Sequence, residues 1–145
     1  MSEFDEVAGS EGTGAEWPST IASAFNRESQ VDFEIEFYRE IISRDPDYIE
    51  VLRVLGTNLS AKGLHAESLE VDEHLVRLRP EDDVALYNLA CSYSMVGMVD
   101  SSLELLRRAI ESGYDEYEYM QQDSDLEATR RDPRFRKMLS DYGIL

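Results

Sequence analysis

Cysteine, histidine, proline and basic residues are all scarce in this 145-residue chain. The single cysteine, Cys91, excludes an intrachain disulfide and gives no reason to expect an oxidising compartment. Two histidines, His65 and His74, fall short of the three or four ligands that zinc requires, so no metal site and no cofactor is expected. Only 14 Lys and Arg stand against 31 Asp and Glu, a net charge of -17. A surface of that sign repels phosphate backbones and anionic headgroups, which argues against nucleic acid and membrane as partners. No apolar run approaches the roughly 18 residues of a membrane span. The opening segment, Met1 to Glu16, carries five acids and no base, the reverse of a secretory leader, and a cytoplasmic location is the expectation. Catalytic signatures are missing too: there is no G-x-S-x-G, no phosphate-cradling glycine loop and no paired cysteine spacing, so no catalytic residue is assigned and the chain reads as non-enzymatic.

What the chain does have is an internal period. Sliding the sequence along itself until Pro46 falls on Pro80 also lays Leu52 on Leu86, Leu55 on Leu89, Gly63 on Gly97 and Leu69 on Leu103. Within each period the apolar spacing is helical, with Leu52, Leu55, Gly56 and Leu59 on one face and Leu86, Leu89, Ala90 and Tyr93 repeating it. Second helices are expected from about 66 to 79 and from about 101 to 112, each after a glycine turn, with Asp100 and Ser101 as N-cap candidates. Small residues at Gly56 and Ala90 suit close helix approach. A hairpin of two amphipathic helices leaves one apolar face open, and stacking the next hairpin covers it.

These residues resemble the tetratricopeptide repeat, a 34-residue helix-turn-helix unit with the pattern W-x2-L-G-x2-Y, then A-x3-F, then P. Leu52-x2-Leu55-Gly56-x2-Leu59 and Leu86-x2-Leu89-Ala90-x2-Tyr93 match its first part. Pro46 and Pro80 stand at the closing position, where Tyr114 replaces the proline in the following unit. Ser68 and Ser102 take the small position and Leu106 the large apolar one, but Asp72 stands where that large residue belongs. Asp72 is expected to rotate outward or to pair with Arg39 or Arg107. The resemblance implies an all-α fold of stacked hairpins in a right-handed superhelix with a C-terminal helical cap.

The organisation read from this is a flexible acidic tail over 1–16, repeat units over 17–48, 49–82 and 83–116, and capping helices over 115–145. In the first unit, a first helix near 18–26 carries Ile21, Ala22 and Phe25, and a second near 31–43 carries Phe33, Phe37, Tyr38 and Ile41. After Tyr114 the period fades. Ser124-x-x-Glu127 has a capping-box spacing, and Asp132-Pro133 opens a helix with Phe135, Met138, Leu139 and Tyr142. The string from Asp125 to Phe135 looks like the ending of bacterial tetratricopeptide arrays. Arg130, Arg131, Arg134, Arg136 and Lys137 crowd together among acids, and internal ion pairing is their expected use.

The family's groove is lined by first helices. Counted on its pattern, the implied partner-binding residues here are Arg53, Val54, Thr57, Val84, Tyr87, Asn88, Cys91 and Met95, beside Glu50 and Ala61. Tyr87 and Arg53 are the implied anchors, since aromatic and arginine side chains dominate interfaces. The function implied is a scaffold or adaptor that binds a peptide or surface of another protein; the alternative is a subunit that forms homo-oligomers through its repeat surfaces. A carboxylate-clamp adaptor is not expected, because the clamp positions hold Ser19, Ser23, Val54, Val84 and Asn88, with one asparagine and no lysine. With 17 acids against eight bases between Gln30 and Tyr114, the expected partner segment is neutral to basic.

Overall fold

The computed structural model describes residues 19–145, with side chains from residue 27 onward. The tail over 1–16, with Trp17 and Pro18, lies outside the described residues. Eight α-helices and no strand occur among the described residues: α1 Ser19–Arg44, α2 Ile49–Ala61, α3 His65–Leu78, α4 Asp83–Met95, α5 Val99–Glu111, α6 Tyr117–Gln122, α7 Glu127–Arg130 and α8 Pro133–Asp141. A short 3-10 turn, Ser124–Leu126, joins α6 to α7. No described helix is long and apolar enough to cross a membrane.

The hairpins α2–α3 and α4–α5 are made by the same turn. Gly63 and Gly97 sit at φ of 84° and 83°, which L side chains rarely adopt. There the chain reverses while its amides bond back, Leu64 N to Leu59 O at 2.9 Å and Met98 N to Tyr93 O at 2.9 Å. The repeat also returns in side-chain bonds across each hairpin. Ser68 Oγ donates to Gly56 O at 3.0 Å, and Ser102 Oγ donates to Ala90 O at 2.8 Å.

The hairpin expected over the first unit is instead the single helix α1. No glycine or proline stands near positions 27–30 to stop it; Arg27-Glu28-Ser29-Gln30 carries the helix straight on. One face of α1 packs on α2, with Ile35, Leu55 and Leu59 buried and Val31, Tyr38 and Ile42 around them. Arg39 ties α1 to Glu67 of α3 at 2.6 Å, and Lys62, just past the end of α2, reaches Asp32 at 2.8 Å. Phe33 and Phe37, expected among the packing residues, face solvent at 70% and 52% exposure, and their rings stack with centroids 6.2 Å apart.

The period does not fade after Tyr114. First helices open at Ile49, Asp83 and Tyr117, and second helices at His65, Val99 and Pro133, each start one full repeat length after the one before. Leu52, Leu86 and Met120 are buried equivalents across this register. The cap is therefore a further repeat whose first helix is cut short at Gln122 and completed by the 3-10 turn and α7. Leu126, Thr129, Phe135, Met138 and Leu139 are buried in it. Thr129 Oγ1 donates to Ser102 Oγ at 2.9 Å, joining cap to repeat.

Two cap assignments change. Helix α5 begins at Val99 behind Met98, which offers no capping side chain, and Asp100 lies in the first turn, paired with Arg134 at 2.7 Å. The Ser124 capping box does not form; Asp123 caps the 3-10 turn by accepting from Asp125 N at 3.0 Å. Asp132 does cap α8, accepting from Arg134 N at 2.9 Å with Pro133 in the first turn. Of the basic cluster, Arg131 pairs with Glu127 and Lys137 with Asp141, while Arg130 donates to the carbonyls of Met120 and Asp123.

Candidate functional site

First helices α2, α4 and α6 share one side of the stack, and between them lies a cavity of about 460 Å³. Helix α2 contributes Gly56, Thr57, Ser60 and Ala61, and α4 contributes Val84, Tyr87, Asn88, Cys91 and Ser92. The cap closes it with Glu116, Tyr119, Asp123 and Asp125, and Asp72 reaches it from α3. Thr57, Val84, Tyr87, Asn88 and Cys91 are thus brought together as the sequence implied. Arg53, Val54 and Met95 are not among its walls.

The two implied anchors are occupied within the protein. Tyr87 is 4% exposed, stacks on Tyr114 with centroids 4.2 Å apart, and donates its hydroxyl to Asp123 Oδ2 at 2.7 Å. The cap covers it, because Asp123 falls where a full-length first helix would continue. Arg53 donates to Asp82, which also caps α4 by accepting from Ala85 N at 3.0 Å. Burial alone would raise the Asp82 carboxyl, but the Arg53 hydrogen bond and backbone amides outweigh it and hold it below the usual range. Arg53 therefore ties α2 to the residue that caps α4. What remains accessible is Val84 at 47% and Tyr119 at 56%, with Thr57 exposed and Asn88 partly so.

The electrostatics of the cavity are one-sided. Asp72, Glu116, Asp123 and Asp125 line it, and no Lys or Arg does. Cys91 is buried beside Asp123, with Sγ to Oδ2 at 3.7 Å; burial first, then the charges of Asp123 and Asp125, push its thiol well up and keep it protonated. Asp125 is raised by burial and by Asp123, with His65 offsetting part of the effect.

Asp72 neither turns outward nor meets an arginine. It is 6% exposed and accepts from Ser92 Oγ at 2.6 Å, while Arg39 is engaged by Glu67 and Glu36. Burial pushes its carboxyl up to about 6, with the serine hydroxyls opposing. The acidic wall supplied by the cap escaped the sequence reading. Carrying the repeat shift beyond Tyr114, so that Met120 falls on Leu86, lays Asp125 on Cys91 and so places that carboxylate on the same side, but it lays Tyr119 on Ala85 and Asp123 on Leu89, both buried, and gives no sign of those two.

No family model matches the chain. Over 119 residues it is 31% identical to a chloroplastic protein of Arabidopsis thaliana, a span that covers 80% of this chain and 34% of that protein. The chain thus spans about a third of that relative's length. Among solved structures it is similar to MamA 41-end from Desulfovibrio magneticus RS-1, with a TM-score of 0.65 at 16% identity, covering 86% of this chain and 72% of that one. A second structure, described as a crystal structure of MamA protein, gives a TM-score of 0.59 at 23% identity, with 86% and 70% covered. At these identities the likeness speaks to architecture: the chain has an all-helical fold of stacked tetratricopeptide-type hairpins.

Proposed function

We propose that the protein is a non-enzymatic interaction scaffold that binds a neutral to basic segment of a partner protein in the cavity between α2, α4 and the cap. The observation that carries this reading is the composition of that wall. Apolar and aromatic surface at Val84 and Tyr119, adaptable polar groups at Thr57 and Asn88, and carboxylates without a lysine or arginine form one concave surface. Peptide grooves combine those features, with apolar area for affinity and a few polar groups for register. With Tyr87 and Arg53 engaged inside the protein, the partner segment makes its contacts with Val84, Asn88 and Tyr119 instead.

A photoreactive p-benzoylphenylalanine at Val84 or Tyr119, with Arg77 on α3 as the control outside the cavity, tests it in native extract. Adducts with another protein from the first two positions and none from Arg77 are expected. Equal labelling at all three, or none, refutes the reading. The second reading, self-assembly, draws on the exposed Phe33–Phe37 stack of α1. Adducts only between copies of the chain would favour it.

A further inference from the structure

Asp72 breaks the repeat at a place where the repeat shows what belongs there. The shift that lays Gly56 on Ala90 lays Asp72 on Leu106, which is fully buried. In α3 a carboxylate occupies the same site beside Gly56, and a methyl group on Gly56 would collide with Asp72 Oδ1. The carboxylate belongs to a residue only 6% exposed, yet it is half satisfied. Oδ2 accepts from Ser92 at 2.6 Å; Ser68, 3.5 Å from Oδ2, has its proton committed to Gly56 O at 3.0 Å. Oδ1 accepts from no described residue, and no cationic side chain pairs with Asp72.

A buried carboxylate oxygen without a donor is expensive, and a sealed core would exclude it. This one is not sealed in. Gly56 and Asp72 both line the cavity, and the absence of a side chain at Gly56 leaves Oδ1 facing it. Asp125 and Glu116 stand on the same wall, whereas Asp123 is engaged by Tyr87 and by Asp125 N. Among the described residues no group of three or more acidic, histidine or cysteine side chains is gathered closely enough to hold a metal ion. A donor to Oδ1 comes from what fills the cavity, which is water or a ligand that carries its own hydrogen-bonding cation.

Resting on the groove reading above, we infer that the cavity receives a lysine or arginine side chain of the bound segment, its cationic head on Asp72 Oδ1 and Asp125 and its aliphatic stem along Val84 and Tyr119. The stem covers exposed apolar surface while the head fills the acceptors that the fold leaves open. A cavity of about 460 Å³ accommodates such a side chain with part of its backbone.

Two capped tripeptides test this with the full chain at pH 7.5: acetyl-Leu-Arg-Leu-amide and its neutral isostere with citrulline for arginine. In heteronuclear NMR titrations the arginine peptide should move the backbone amides of Gly56, Asn88 and Asp125 and bind about tenfold more tightly than the citrulline peptide. Asp72→Leu, which copies the Leu106 site, and Asp72→Asn should each bring that ratio close to one, with melting curves confirming that both variants fold. Equal binding of the two peptides in the groove overturns the cation subsite and leaves the groove reading standing. A preference for arginine that survives both Asp72 variants overturns the assignment to Asp72. Shifts absent from the groove altogether overturn the subsite and the groove together.

Discussion

Replacing Asp72 with leucine should make the protein more stable at neutral pH. Burial raises the Asp72 carboxyl from 3.8 to about 6, so the native state holds the proton more tightly than the unfolded chain does. A group shifted upward supports the fold fully below its unfolded value, and that support is lost as the pH climbs through about 6. At 1.36 kcal/mol per pKa unit, the ionised carboxylate weighs against the native state by ~3 kcal/mol at pH 7.5. Leucine removes that term and leaves Ser92 without its acceptor, a loss of ~1 kcal/mol. The net gain is ~2 kcal/mol. At pH 5.0, where native Asp72 is largely protonated, the advantage shrinks by ~1 kcal/mol. Urea unfolding of both proteins at the two pH values measures this. Taking the difference between variant and parent cancels the groups that titrate elsewhere, such as Asp82 and Asp132, both lowered by their arginine partners and by backbone amides. A variant less stable than its parent at pH 7.5, or a difference that ignores pH, would refute the reasoning.

Four further outcomes are expected. Met138→Ala, at a position with no exposure, should destabilise the whole stack by ~2–5 kcal/mol, and removing Asp123 to Leu145 should lower the melting temperature by more than that single change; an unchanged melt of the truncated chain by circular dichroism would sink the cap. Tyr87→Phe should cost ~1–3 kcal/mol by leaving Asp123 with one donor fewer in a buried site, read from urea unfolding. Ile35→Ala should destabilise by ~2–4 kcal/mol whereas Phe33→Ser, on the open face of α1, should change stability by less than ~0.5 kcal/mol; similar values for the two would mean that α1 packs differently. Association with a basic partner segment should slow as salt is raised while dissociation changes little, since steering by exposed charges is screened over about 10 Å at 0.1 M. Stopped-flow rates across a salt series decide this, and an association rate indifferent to salt counts against steering.

Periodicity carried most of the fold. The repeat shift and the three-and-four spacing of Leu52, Leu55 and Leu59 place the hairpins where they occur, and glycine marks their turns. Helix ends were harder to read, because Met98 and Leu126 precede helices with no capping side chain, Asp100 pairs with Arg134 instead of capping, and Asp123 rather than Ser124 caps the 3-10 turn. For α1, the failed expectation was a turn that lacked its glycine. Spacing also put Tyr87 and Cys91 on the correct face without saying what would lie over them. A residue type enriched at interfaces is equally suited to a core, and only the position of Asp123 decides between the two. Asp72 was visible as a misfit, but the hydrogen bond that its Oδ2 accepts from Ser92 of α4 is a tertiary fact that no local pattern encodes.

The stack has two unlike ends. At one, α8 turns Arg134, Arg136, Lys137 and Asp141 to water; at the other, α1 offers the bare rings of Phe33 and Phe37. Growth into a fibre needs an adhesive surface at both ends, each complementary to the other. Here the charged end exposes Tyr142 and Leu145, but among the described residues it carries no second pair of stacked rings like Phe33 and Phe37. Copies that met through Phe33 and Phe37 alone would do so like to like, about a two-fold axis, and each such meeting would use up that surface on both copies. A contact of that kind would stop at a pair.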